Sequence, residues 1–306
     1  MSNNRPIAPA AVHRSGFIAI SGPPNAGKST LLNRLTGEKI SITSDKPQTT
    51  RNRILGIVNR PKAQLVFLDT PGIFRATDKL NTRMVDGALA VLSDVDVVLL
   101  MIDASGRPRK EAETLIVNHL GRINKPMVLA LNKIDLVKKP LILEMIERWR
   151  TVLPFAHIFP VSAKQGDQTE ELVQALEALL PPGDPLFPED MITDMPVRFI
   201  AAEMIREKIF RLTNQEVPYA TAVGIDTFQE KKDGRVIHIQ ATIYVEKSSQ
   251  KGIIIGKGGQ LLKEIGEKSR RDIQRLTGAT VYLELFVRVQ KRWRSDDSLL
   301  TEFGYP

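Results

Sequence analysis

Apolar runs and amphipathic stretches alternate along the first 180 residues of the chain. Runs such as GFIAISG, AQLVFLDTPG and VDVVLLMIDA are short, rich in β-branched residues and bounded by turn residues. The stretches KSTLLNRLTG and KEAETLIVNHLGRI, which lie between such runs, have the spacing of apolar positions that is typical of helices. Continuous apolar strands separated by helices predict a mostly parallel sheet with helices on both faces. The segment RNRILGIVN is predicted to add an antiparallel edge strand.

The pattern changes after the proline-rich segment LLPPGDPLFPED, which neither a helix nor a strand can cross. Beyond it, a helix, two alternating strands, a helix–loop–helix and a last alternating strand, ATVYLELFVRVQ, follow in the order αββααβ. We therefore predict a flexible leader (1–14), an α/β domain (15–180), a proline-rich linker (181–195) and a smaller α+β domain with a basic tail (196–306).

Composition narrows the class of protein. The 306 residues include no cysteine, which excludes disulfides and thiolate metal sites and fits a reducing cytosol. The four histidines lack the spacing of metal ligands, so a zinc site is not expected. Residues 196–306 carry 19 Lys and Arg against 14 Asp and Glu, a net charge of +5. A basic second half favours a polyanionic partner, either nucleic acid or an anionic membrane surface.

The segment GPPNAGKST (residues 22–30) carries the first chemical signature. It lies between an apolar strand and a helix and fits Gly-x-x-x-x-Gly-Lys-Ser, the pattern of a loop that cradles phosphates. Gly22 and Gly27 allow the backbone to wrap the phosphates and to present N–H donors at the start of a helix. Lys28 is predicted to neutralise the β- and γ-phosphates, and the Ser29 hydroxyl is predicted to bind Mg²⁺.

Two stretches near the first helix are predicted to complete the phosphate and metal site. In DTPG, Asp69 would hold Mg²⁺ through water and Gly72 would donate its N–H to the γ-phosphate. The polar stretch SITSDKPQTTRNR (residues 41–53), called the switch loop below, has no periodicity and suits a loop that is ordered only when a γ-phosphate is present. Thr50 is the preferred second hydroxyl for Mg²⁺, and Thr49 is the alternative.

Two motifs after later strands indicate which base is bound. Asp135, in NKID, can accept hydrogen bonds from both N–H groups on one edge of guanine, whereas adenine would leave that buried carboxylate unpaired. Asn132 and Lys133 would support the loop and the base. The motif SAK (residues 162–164) would offer the Ala163 N–H to guanine O6. Together these motifs predict GTP as the substrate.

The candidate nucleotide site draws on all of these segments. Lys28, Thr50, Gly72 and Asn25 are the catalytic candidates, and Ser29, Thr50 and Asp69 are the candidate metal ligands. The full set predicted to contact GTP or GDP is Gly22, Pro23, Pro24, Asn25, Ala26, Gly27, Lys28, Ser29, Thr30, Asp69, Thr70, Pro71, Gly72, Ile73, Asn132, Lys133, Asp135, Ser162, Ala163 and Lys164.

These motifs resemble a known family. Residues 15–180 look like a translation-factor-related P-loop GTPase domain, and the chain from about Gly16 onward is similar to the Era family of bacterial GTPases. The resemblance rests on GPPNAGKST, SDKPQTTR, DTPGI, NKID, SAK, the helix IREKI, the distal GIIIGKGG and the ending EFGYP. It implies a P-loop GTPase domain followed by a type II KH domain.

One departure from small signalling GTPases concerns the chemistry of hydrolysis. Those proteins place a glutamine after the glycine of D-x-x-G to orient the attacking water, and Ile73 at that position cannot do so. The resemblance implies a K⁺ ion beside the phosphates, held in part by Asn25, which would neutralise developing charge as an arginine finger does. The alternative is that Asn25 only shapes the loop.

The loop GKGG (Gly256–Gly259) joins two helices in the αββααβ pattern, as in a type II KH module. There, a Gly-x-x-Gly loop clamps the nucleic-acid backbone beside an apolar groove that receives the bases. The basic run VQKRWRSDD adds an aromatic residue that could stack on a base. The residues predicted to bind RNA are Ile253, Ile254, Gly256, Lys257, Gly258, Gly259, Arg270, Lys291 and Trp293, although the isoleucines would equally suit a core.

The resemblance implies an RNA-binding GTPase that acts in assembly of the small (30S) ribosomal subunit, near the 3′ end of 16S rRNA. We expect a cytoplasmic monomer, with weak association with an anionic membrane surface left open. A membrane-peripheral signalling GTPase is the alternative, but lipid binding does not need a Gly-x-x-Gly loop between helices. A passive RNA scaffold is disfavoured by the full set of Lys28, Ser29, Asp69 and Asp135.

Overall fold

The computed structural model describes residues 13–106 and 109–305. Most of the predicted leader lies outside this range, and Arg14, its last residue, already begins the first strand. The first domain contains a six-stranded sheet in the order β2-β3-β1-β4-β5-β6. Its strands are β1 (Arg14–Ser21), β2 (Ile54–Arg60), β3 (Ala63–Asp69), β4 (Val97–Asp103), β5 (Met127–Asn132) and β6 (His157–Val161).

Five strands of this sheet are parallel, and β2 pairs antiparallel with β3 at one edge, which confirms the predicted edge strand. Helices cover both faces, because each apolar strand buries side chains on two sides. Leu31 and Leu176 pack on one face, and Leu92, Ile116 and Trp149 pack on the other. The helices are α1 (Lys28–Thr36), α2 (Lys79–Asp94), α3 (Lys110–Leu120), α4 (Lys139–Arg150) and α5 (Thr169–Leu179).

The second domain has the predicted order αββααβ. Its elements are α6 (Val197–Leu212), β7 (Ala222–Lys231), β8 (Val236–Val245), α7 (Ser248–Ile255), α8 (Gln260–Thr277) and β9 (Thr280–Val289). The strand β8 lies in the centre, antiparallel to β7 and parallel to β9. The alternation of β9 buries Val281 and turns Leu283 and Leu285 toward the helices, as predicted.

The proline-rich linker is not a free hinge in this structure. It runs along the edge of the first sheet, where Ile57 N–H donates to the Ile192 carbonyl at 2.8 Å and the Gln64 amide bonds to Phe187. The prolines prevent regular pairing, but the remaining backbone groups still find partners on β2 and β3. The linker therefore covers an otherwise open sheet edge.

The end of the chain packs back onto the first domain. A short helix, α9 (Asp297–Glu302), follows a single helical turn that contains Trp293. Trp293 and Tyr305 share an apolar cluster with Leu80 and Met84 of α2. The two domains are thus in direct contact, in addition to being joined by the linker. Among the described residues, no helix is long and apolar enough to cross a membrane.

Candidate functional site

The phosphate loop connects the end of β1 to α1, and two of its glycines have no room for a side chain. A Cβ on Gly22, at φ 149°, would lie 2.2 Å from the Met101 carbonyl oxygen. A Cβ on Gly27, at φ 96°, would lie 2.1 Å from the Asn132 amide nitrogen. Both positions therefore require glycine because of neighbouring strands, in addition to any requirement that phosphates impose.

Lys28 lies at the centre of this loop. Its ammonium donates to the carbonyl oxygens of Gly22 at 3.2 Å and Pro23 at 3.0 Å. Burial lowers the pKa of Lys28 to about 8, against the opposing attraction of Asp69. A buried ammonium that donates to carbonyl oxygens of the phosphate loop is well suited to receive a polyphosphate.

The residues predicted to bind metal lie together at the start of α1. The Ser29 hydroxyl is 2.8 Å from the Thr50 hydroxyl and donates to Asp69 Oδ2 at 2.6 Å. Ser41, which sequence reasoning missed, also donates to Asp69 Oδ2, at 2.9 Å. The alternative ligand, Thr49, instead directs its hydroxyl to the Lys46 carbonyl at 2.8 Å. The geometry therefore favours Thr50.

This cluster fits Mg²⁺. Burial raises the pKa of the Asp69 carboxyl, and Lys28, Ser29 and Ser41 oppose that shift. Asp69 Oδ1 is buried without a hydrogen-bond partner among the described residues, so it has unused acceptor capacity that a hydrated cation would satisfy. One carboxylate and hydroxyl oxygens are the ligands that Mg²⁺ takes alongside the phosphates of a nucleotide.

The remaining residues of the predicted phosphate site frame the loop. Thr70 is buried and donates to the Ile20 carbonyl at 3.0 Å, and Ile73 is buried with its N–H on the Gly22 carbonyl. Gly72 lies so close to Pro24 that a Cβ would meet its backbone at 2.7 Å. Pro24, Thr30 and Gly72 line the cleft between the phosphate loop and the switch loop.

Asn132 joins the phosphate loop to the predicted base site. Its amide donates to the Ala26 carbonyl at 2.7 Å, and its Oδ1 accepts from the Ala163 N–H at 2.9 Å. The buttressing role predicted for Asn132 thus has a clear structural basis. The second bond also corrects a prediction, because the Ala163 N–H is engaged here rather than available for guanine O6.

Asp135 and Lys133 occupy the other side of the base site. Ser162 donates to Asp135 Oδ1 at 2.7 Å and fixes the orientation of that carboxylate. Asp135 is exposed in this structure, not buried as predicted, so desolvation would arise only when a base covers it. Lys133 pairs at 2.6 Å with Asp103, another residue that sequence reasoning missed. Asp103 ends the strand next to the one that ends at Asn132, and that shared sheet edge was the available signal.

The Gly-x-x-Gly loop joins α7 to α8 through a single helical turn. Gly256, Gly258 and Gly259 all have positive φ, and a Cβ on Gly256 would lie 2.8 Å from Leu261. Lys257 and Gly258 are exposed, and Gly258 has open space where a side chain would project. The loop therefore presents a cation and bare backbone to the solvent.

A groove of about 450 Å³ opens beside this loop, between α8 and β9. Arg270 lies at its edge, and the groove has an apolar wall, but the predicted isoleucines do not form that wall. The residues that form the wall are Leu262, Gly266, Leu283 and Leu285. Ile253 is 47% exposed nearby, whereas Ile254 is fully buried in the domain core, so its predicted contact with RNA is wrong for this structure.

The basic tail also differs from the prediction. Lys291 is exposed. Trp293, predicted to stack on a base, is fully buried, and its indole N–H donates to the Ala220 carbonyl at 3.0 Å. Packing against Tyr305 and α2 removes more apolar area from water than an exposed ring could, and this explains the difference.

A phosphate-cradling loop, a guanine-type recognition motif and a cluster fit for Mg²⁺ on this sheet define a P-loop GTPase, here joined to a KH domain of type II topology. A family model described as a 50S ribosome-binding GTPase matches residues 17–133, and a KH domain model matches residues 216–294. GTPase Era of Geotalea uraniireducens is 54% identical over 95% of this chain and 98% of its own. GTPase Era of a Geobacter species (strain M21) is 55% identical with the same coverage.

Solved structures give the same result. The chain superposes on Era crystallised with MgGDPNP and nucleotides 1506–1542 of 16S ribosomal RNA with a TM-score of 0.92, at 43% identity over 96% of this chain and 99% of the other. The Y63A variant of Aquifex aeolicus Era bound to GDP and AlF₄⁻ matches with a TM-score of 0.91 and 43% identity, over 95% and 99% of the two chains. The protein belongs to the Era family of GTPases.

Proposed function

We propose that this GTPase binds ribosomal RNA near the 3′ end of 16S rRNA through its KH domain and acts in assembly of the small ribosomal subunit. The observation that carries the proposal is the likeness, over nearly the whole of both chains, to Era bound to that RNA. The description of the matching GTPase family model mentions the large (50S) ribosomal subunit, but that model covers only residues 17–133. The whole-chain likeness therefore weighs more.

In the nucleotide site, the chain would recognise guanine through Asp135, oriented by Ser162, and neutralise the phosphates through Lys28. Ser29 and Thr50 would hold Mg²⁺ directly, and Asp69 would hold it through water. The bound ion would supply positive charge against the β- and γ-phosphate oxygens. Gly72 would donate its N–H to the γ-phosphate, because its closeness to Pro24 places that backbone beside the phosphate loop.

Asn25 is proposed to help hold K⁺ beside the phosphates. It has a left-handed backbone at φ 63°, and its amide nitrogen donates to the Asp45 carbonyl at 2.5 Å. This bond fixes the side chain between the phosphate loop and the switch loop, with Oδ1 as the atom offered to the cation. A cation in that position would compensate for the glutamine that Ile73 replaces.

The KH groove is proposed to receive single-stranded RNA. Lys257 would meet a phosphate, Gly258 and Gly259 would allow the backbone to approach, and Leu262 with Leu285 would contact bases. We favour RNA over an anionic membrane because a concave groove beside a glycine loop suits a nucleotide chain better than a flat lipid surface. We further propose that the protein works as a monomer in the cytoplasm.

The test is a double substitution, Lys257→Asp with Gly258→Asp. Gly258 has φ 58°, a conformation that aspartate tolerates, and open space around it, so the fold should persist. Two carboxylates would repel the approaching phosphates and abolish binding to an oligonucleotide of the 16S 3′ end, measured by fluorescence anisotropy. A matched control, Lys268→Asp with Arg271→Gln, makes the same charge change at two exposed residues of α8, outside the loop.

GDP affinity of the same samples should be unchanged. RNA binding equal to that of the parent would show that GKGG is only a turn. Binding that is lost in the control as well would show that net charge, rather than the groove, governs RNA affinity.

A further inference from the structure

A buried ion pair on α6 lies against the switch loop. Arg206 is 1% exposed, and its Nε donates to Glu203 Oε1 at 2.7 Å while Nη2 donates to Glu203 Oε2 at 2.5 Å. The guanidinium carbon lies 5.2 Å from the centre of the Phe210 ring. The hydrogen bonds from Nε and Nη2 to Glu203, together with packing against the Phe210 ring, hold the guanidinium in one orientation.

In that orientation, Arg206 reaches across the domain boundary. Its Nη2 also donates to the Thr49 carbonyl oxygen at 2.5 Å. That carbonyl belongs to the peptide unit that enters Thr50, whose hydroxyl is 2.8 Å from Ser29. The second domain therefore holds the peptide that determines where the Thr50 hydroxyl lies.

Other contacts hold the loop on both sides of this point. Before it, Glu207 accepts from the Thr43 N–H at 3.1 Å. After it, the buried Arg51 side chain donates to the carbonyl oxygens of Thr221 at 2.8 Å and Tyr219 at 2.9 Å. The switch loop is thus held by the second domain rather than by a phosphate alone.

We propose that the Glu203–Arg206 pair is a positioning element of GTP hydrolysis, which holds Thr50 where its hydroxyl can bind Mg²⁺. The proposal rests on the assignment of Thr50 as a metal ligand. Arg206 does not touch the nucleotide site itself and acts through the Thr49 carbonyl. A shift of the second domain would move that carbonyl, so the same bond couples the KH domain to the metal site.

The proposal predicts an effect that depends on the γ-phosphate. A switch-loop hydroxyl reaches Mg²⁺ only when a triphosphate orders the loop, so a diphosphate does not need Thr50 in place. Loss of a hydrogen bond from a charged donor should weaken Mg²⁺-GDPNP binding about ten- to a hundredfold. The dissociation constant for GDP should change by less than about twofold.

The variants must avoid a stranded buried charge. Arg206→Met alone would leave the Glu203 carboxylate unpaired, so Glu203→Met with Arg206→Met removes both charges and keeps apolar packing. Arg206→Lys keeps a charge beside Glu203 but lacks the second arm of the fork, so it should show the same selective loss. The control is Arg198→Met, an exposed arginine of α6 that bonds only to Ile225 among the described residues.

The experiment is a titration of each variant with fluorescent GDP and fluorescent GDPNP at several Mg²⁺ concentrations, beside kcat and KM for GTP. Thr50→Val is the reference. We expect Thr50→Val and the α6 variants to lose GDPNP affinity and kcat selectively, and to be non-additive when combined. Arg198→Met should match the parent.

The outcomes separate the two assignments. Selective loss in Thr50→Val without loss in either α6 variant overturns the positioning role but leaves Thr50 as a ligand. No selective loss in Thr50→Val overturns the ligand assignment, and the positioning role with it. Equal loss of GDP and GDPNP affinity in the α6 variants shows a merely structural role and also overturns the proposal.

Discussion

The bond network of Asn132 offers a quantitative test of how the nucleotide site is held together. The side chain is 2% exposed and makes two hydrogen bonds, to the Ala26 carbonyl at 2.7 Å and from the Ala163 N–H at 2.9 Å. Asn132→Ala removes both and strands one acceptor and one donor in the interior. At about 1–2 kcal/mol for each stranded group, the loss in unfolding free energy should be about 2–4 kcal/mol.

The same change should weaken nucleotide binding, because the phosphate loop and the SAK loop would no longer be tied to one another. We expect a fall in GDP affinity of about tenfold or more, equivalent to about 1.4 kcal/mol. Urea unfolding followed by circular dichroism measures the first effect, and titration with fluorescent GDP measures the second.

The control for this test is Asn124→Ala, which changes an exposed asparagine in the loop before β5. It should unfold and bind GDP as the parent does. An Asn132→Ala variant with unchanged urea midpoint and unchanged GDP affinity would refute the reasoning, since it would mean that water replaces both bonds without loss.

Three further outcomes are expected. Asp135→Asn should shift preference from guanine to xanthine nucleotides in competition titrations, because the carboxylate that answers the donor edge of guanine is gone; an unchanged preference would exclude Asp135 as the recognition residue. GTP hydrolysis should be faster in KCl than in NaCl at equal ionic strength, and Asn25→Ala should remove the difference; a rate indifferent to the cation would exclude K⁺. Burial would raise the pKa of Glu207, but hydrogen bonds from Lys208 and Lys39 hold that pKa below its usual value of 4.5. The ionised Glu207 therefore stabilises the folded protein above pH 4.5, and this contribution is lost as the pH falls through the lower pKa of the folded state. Lys39→Met should therefore lower unfolding free energy at pH 7 and reduce the loss on acidification in urea titrations; parallel pH profiles would contradict this.

Much of the fold could be predicted because many of its helices and strands have a recognisable pattern of apolar residues in their own sequence. The apolar runs that became β1, β3, β4 and β5 are buried on both faces, and continuous burial needs continuous apolar sequence. The αββααβ order could be predicted in the same way. In β9, for example, the alternation of apolar and polar residues places every second side chain toward α8. The helix α2, which the periodicity analysis did not predict, carries Gly87 within KLNTRMVDGALAVLSD, and its apolar face is partly completed by the chain terminus.

The nucleotide site was also accessible from sequence, because each motif follows a parallel strand and such strand ends meet at one sheet edge. That rule correctly brought Lys28, Asp69 and Asn132 together. It could not show that the Ala163 N–H already has an acceptor, since the acceptor is the Oδ1 of a residue 31 positions earlier.

The sequence by itself therefore determined the two kinds of domain, the order of elements in the second domain and the motifs of the candidate nucleotide site, since these follow from short-range periodicity and from motifs whose spacing matches a strand and a turn. Only the tertiary structure decided which side chains cross between domains. Arg206 and Thr49 are 157 residues apart, and nothing in either local pattern marks them as partners. The basic sequence around Trp293 predicts an exposed ring that stacks on a base, and only the contacts with α2 show that the ring is buried. Contacts of this kind depend on how two separately patterned surfaces meet, and burial at such a meeting is a property of both surfaces, not of either segment alone.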